Sequence, residues 1–145
     1  MPRLLNMRLP VALPIVAILL VLGCPPRAFV SVEGSSVEEL TFVISASKNE
    51  EVPIGFGVLV VSTCGADGRT GDNVYWKIAE EDPSSKNGVV RVLYGVTPSG
   101  FKQLVPPRAI NKGCLDVTTL ASGGVSFLVD DQGGVSLRSG SSSGP

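Results

Sequence analysis

The chain has 145 residues, enough for one domain and short of two ordinary ones. Apolar residues make up 43 %, charged residues 17 %, and the formal net charge is −1, so no concentrated basic face is available for nucleic acid. Histidine is absent, which removes Ser-His-Asp and Cys-His catalysis and leaves any zinc site only cysteine and carboxylate ligands.

The first element is basic and then apolar. Arg3 and Arg8 precede the run Val11 to Leu22, which ends at Gly23-Cys24. A membrane span takes roughly 20 apolar residues. Leu9 to Leu22 falls short of that, and Pro10 and Pro14 weaken its first turns. Residues 1–23 are therefore expected to be a secretory signal peptide. Pro25 and Pro26 favour extended geometry, so residues 24–28 read as a tether.

Val21-Leu22-Gly23-Cys24 resembles the lipobox of bacterial lipoproteins, in which a small residue precedes an obligatory cysteine. The resemblance implies a diacylglycerol on the Cys24 thiol, cleavage before it and usually acylation of the new amino group. Each buried CH₂ contributes about 0.8 kcal/mol, and one chain holds a protein only reversibly. Two or three chains would hold it firmly. The expected location is the cell envelope, lipid-anchored, at the outer membrane facing the periplasm or at the cell surface where the host has two membranes.

Of the three cysteines, a lipidated Cys24 leaves Cys64 and Cys114. An even pair in an exported protein reads as a disulfide. Closing a loop of about 50 residues, it would contribute about 4 kcal/mol in the chain-entropy model. Redox or metal-binding thiols are the rival reading; neither C-x-x-C spacing nor histidine supports it.

From Phe29 onward the chain reads as short strands bounded by Gly, Pro, Asn, Asp and Ser clusters. "SSVEEL" suggests a helical turn, with Ser36 and Glu39 spaced as a capping box. "LTFVISAS" follows, then "IGFGVLVVSTC", whose continuous run Val58 to Val61 suits a strand covered on both faces. "CGADGRTGD" is a loop. In "NVYWKIA" Val74, Trp76 and Ile78 alternate with Tyr75, Lys77 and Ala79. "EEDPSSKNG" ends in Asn87-Gly88, a hairpin dipeptide. "VVRVLYGV", "CLDVTTL" and "GVSFLVD" are further strands. Between the first two of these, "VTPSGF" is a bend and "VPPR" excludes a central strand. "DDQGG" turns a last hairpin into "VSLR", and residues 139–145, "SGSSSGP", have nothing to bury.

Residues 29–138 are thus expected to form an all-β domain, a small antiparallel sandwich or partly open barrel. The order Cys64, Trp76, Cys114 is similar to that of immunoglobulin domains, although Lys112 stands where that family has its corner tyrosine. Trp76, "YGVTPSGF" and "KGC" in that order also look like small bacterial lipoproteins of unassigned activity.

Candidate chemistry is sparse. Glu38-Glu39, Glu50-Glu51, Glu80-Glu81-Asp82 and Asp130-Asp131 are sequence neighbours, and neighbours on a strand point to opposite faces, unlike a glycosidase pair. Asp67 and Asp72 lack the alternating ligands and terminal Glu of a calcium hand. "GADGRTG" lacks the Gly-Lys-Ser/Thr of a phosphate loop. Neither a catalytic group, a metal nor a cofactor is expected. Trp76 reads as core and Tyr75 as half-exposed. Tyr75, Tyr94 and Phe101 are the candidate ligand-binding residues, an aromatic platform for a sugar or peptide. The expected role is a binding or scaffolding module with an envelope protein or a cell-wall glycan as partner; a carbohydrate- or peptide-binding protein is the alternative.

Overall fold

The computed structural model describes residues 27–65, 70–82 and 88–138. The signal, Cys24, Asp67, the Asn87 turn residue and the 139–145 tail lie outside them. Apart from one 3-10 turn, the regular elements of the described chain are all strands. It is built from β1 (Phe29–Glu33), β2 (Thr41–Ser45), β3 (Val58–Cys64), β4 (Thr70–Glu80), β5 (Arg91–Leu93), β6 (Phe101–Val105), β7 (Gly113–Thr119), β8 (Ser122–Val129) and β9 (Val135–Leu137). These pair into a three-stranded sheet, β1-β2-β5, and a six-stranded sheet, β6-β4-β3-β7-β8-β9, antiparallel throughout. Both sheets keep free edges, so the fold is a sandwich and not a closed barrel.

The alternation seen in the sequence fills the space between the sheets. Phe42, Ile44 and Val92 from the small sheet meet Leu59, Val61, Trp76, Ile78, Leu115, Val117 and Phe127 from the large one, all fully or almost fully buried. The Phe42 and Phe127 rings pack at 6.3 Å, tying β2 to β8. Burying a side chain of this size contributes about 1.5–3 kcal/mol.

Several local expectations need correction. β3 is central, but Val58 and Val60 are only half-buried on its outer face. The strand covered on both faces is β2, where Val43 and Ser45 are buried as well as Phe42 and Ile44, because the segment 46–52 folds back over it. Val37–Glu39 is a single 3-10 turn, and Ser36 makes no side-chain cap; Ser35 donates to Glu39 Oε2 instead, at 3.3 Å. The "DDQGG" turn forms as read. Asp130 Oδ1 accepts from the amides of Gln132 at 2.8 Å and Gly134 at 2.7 Å, and Gly133 takes the positive φ of 78° that a side chain would disfavour.

The Cys64–Cys114 bridge is present, with a Cα–Cα distance of 5.4 Å. It sits one register step beyond the Thr63–Leu115 pair, joining neighbouring strands β3 and β7 of the large sheet. An immunoglobulin bridge joins two sheets; this one lies within one sheet. Among the described residues no helix is long and apolar enough to cross a membrane.

Candidate functional site

The three aromatic candidates are not brought into one platform. Tyr75 is an extra residue in β4: Val61 pairs with Trp76 and Ser62 with Val74, leaving Tyr75 in a bulge. Its ring is half-buried against the rim of the core. Tyr94 packs edge-on to Trp76, with ring centroids 5.4 Å apart, and its hydroxyl donates to the Arg108 carbonyl at 2.7 Å. Phe101 belongs to a separate pair. It lies opposite Glu80, five residues along β4 from Tyr75, and is buried in a stack on Phe56 at 4.9 Å.

The structure places a concave site elsewhere, on the outer face of the small sheet. Alternation in "FVSVE" sends Val30 and Val32 inward and Phe29, Ser31 and Glu33 outward. Opposite them stand Ser45, Val43 and Thr41. The segment after β2 doubles back, and its Ser47, Lys48, Asn49, Glu50 and Glu51 close one side. The result is an open cleft of about 370 Å³ lined by these residues and by Phe29, Ser31, Glu33, Val43 and Ser45. That volume is within the range of small-ligand sites. Phe29 is 44 % exposed, an aromatic face in a lining that mixes polar groups with Val30 and Val43.

Two devices hold the cleft wall. Buried Ser45 donates through Oγ to the Glu50 carbonyl at 2.5 Å and accepts from the amides of Val52 at 2.8 Å and Ser47 at 3.2 Å. Arg91 of β5 forms a two-pronged pair with Glu51 and donates through Nη1 to Glu33 at 2.7 Å, linking loop and first strand. Hydrogen bonding to Arg91 holds the Glu51 carboxyl below the ordinary carboxylate range, while Glu51 and Glu33 raise the Arg91 guanidinium further above its already high value.

Chemically, the cleft offers hydroxyls, an amide, an ammonium and carboxylates around one aromatic ring. That array suits hydrogen-bonding and stacking to a polar small molecule. Among the described residues no group of three or more cysteines, aspartates and glutamates is placed to hold a metal ion. Asp72 lies exposed on β4. Sequence reasoning missed this site because it is made where a loop returns over a strand. The visible trace was "FVSVE", with a phenylalanine at an outward position.

No family model, curated protein or solved structure matches this chain.

Proposed function

We propose that the protein is a lipid-anchored module of the cell envelope that binds a small polar ligand, a sugar or a peptide, in the cleft beneath segment 46–52. The observation that carries this reading is the position of Phe29, an exposed aromatic in a 370 Å³ cleft of mixed polar and apolar lining, immediately after the tether. Phe29 is five positions after Cys24, and a fully extended chain spans at most about 18 Å over that distance. An acylated Cys24 would therefore keep the cleft close to the membrane surface, where envelope glycans and peptides are its neighbours. The lipobox resemblance supplies the anchor and the cleft supplies the site.

The test has two arms. The mass of the mature N-terminus from membranes should show acylated Cys24, and Cys24→Ala should lose both the lipid and the membrane fraction. Calorimetry with cell-wall fragments and oligosaccharides should give heat that Phe29→Ala abolishes. A soluble product beginning elsewhere overturns the anchor; unchanged heat in Phe29→Ala overturns the cleft.

Scaffolding is the second reading, favoured by the free edge of the large sheet at β6, where Leu104 is exposed. Pro106-Pro107 directly follows that edge and restricts strand addition to its five residues.

A further inference from the structure

The bridge on the large sheet has surroundings that a purely structural disulfide does not require. It lies on the outer face, away from the core, and both cysteines are only half-buried. Each sulfur has a charged neighbour, and the two are of opposite sign. Asp116 Oδ1 is 3.3 Å from Cys64 Sγ. Asp116 itself is only 7 % exposed and accepts a hydrogen bond from Ser126 Oγ at 2.5 Å. Arg138 Nη1 is 3.6 Å from Cys114 Sγ.

These contacts fit the reduced pair better than the oxidised one. A disulfide sulfur carries no proton, so the Asp116 contact is not a hydrogen bond while the bridge is closed. A Cys64 thiol would convert it into one, S–H to carboxylate. A guanidinium against Cys114 stabilises a thiolate there, and a disulfide sulfur has no charge for it to stabilise.

We propose that Cys64–Cys114 is a thiol–disulfide exchange site for a dithiol partner, a function separate from the cleft. The partner's thiolate attacks Cys64 Sγ. A bond forms between the partner's sulfur and Cys64 as the Cys64–Cys114 bond breaks, and the electron pair leaves on the Cys114 sulfur, where the Arg138 guanidinium stabilises the thiolate. The partner's second thiolate then attacks the partner sulfur of the mixed disulfide and releases Cys64, which takes a proton from solvent and donates it in a hydrogen bond to Asp116. Two electrons pass from the dithiol, which becomes a disulfide, to the bridge. The consequence for the fold is local: β3–β7 is the seam between the β6-β4-β3 and β7-β8-β9 halves of the large sheet, and reduction unfastens its end.

The test is the rate at which dithiothreitol reduces the purified full-length protein in non-denaturing buffer. Alkylated Cys64 and Cys114 are counted by peptide mass, while circular dichroism reports global unfolding under the same conditions. Both cysteines should become alkylated faster than the protein unfolds. Arg138→Gln should slow reduction about fivefold at low salt, the effect of one unit charge near 4 Å in water. The difference should shrink in 1 M salt, where screening acts over roughly 3 Å. Arg138→Lys should restore the rate, and Lys102→Gln, the same charge change on β6, should leave it unaltered. Reduction no faster than unfolding, or equal rates in wild type and Arg138→Gln at low salt, would overturn the proposal.

Discussion

Tyr94 joins two parts of the fold through one side chain. Its ring meets Trp76 in the core and its hydroxyl reaches the Arg108 carbonyl beyond β6. Burial pushes its pKa above the ordinary 10. A raised folded value means the stabilisation is intact below pH 10 and is lost as pH rises through the folded value. Tyr94→Phe should therefore lose about 1 kcal/mol at neutral pH, the usual net worth of such a bond, and show a smaller alkaline loss than wild type, both read from urea unfolding. Trp76 is fully buried, and its indole nitrogen has no hydrogen-bond partner among the described residues. Trp76→Ala should lose about 3–5 kcal/mol by the same measurement. The core role of Trp76 was legible from period-2 alternation; the backbone carbonyl that Tyr94 finds was not, because Arg108 is brought to it only by the chain's return past β6.

At the scale of elements, the segment 46–52 decides whether the cleft exists. Ser45 holds it from beneath and the Glu51–Arg91 pair from its rim. With the Glu51 carboxyl depressed, this latch is present above the ordinary value of 4.5 and is lost as pH falls through the lower folded value. The protection factor of the Val52 amide, taken relative to intrinsic exchange at each pH, should fall on acidification. Arg91→Gln should produce the same loss of protection at neutral pH while leaving the melting temperature almost unchanged, since exposed ion pairs contribute little. Unchanged protection in that variant would mean that the Ser45 and Ala46 hydrogen bonds hold the segment without the ion pair. β2, β3, β4, β5, β7, β8 and the β8–β9 turn follow the strands and breakers read from the sequence within a few residues. β6 does not, because "FKQLV" carries no clean alternation, with Leu104 exposed on a strand whose register shifts against β4.

For the molecule as a whole, the bridge connects residues 50 apart in sequence. Replacing both Cys64 and Cys114 by alanine should lose about 4 kcal/mol, a large share of the roughly 5–15 kcal/mol that holds a domain folded; denaturant titration under oxidising conditions measures it.

Composition, alternation and turn residues by themselves determined the all-β class and core residues such as Trp76, with a sandwich and a partly open barrel both allowed, because strand burial repeats every two residues and each repeat is written locally. Cysteine parity, taken with the lipobox, pointed to the Cys64–Cys114 pair. Only the tertiary structure decided that the bridge lies within one sheet, that a bulge redirects Tyr75, and that Phe29 opens onto a cleft. Each of these depends on register or on a loop returning over a strand, and such contacts between residues distant in sequence leave no period to read.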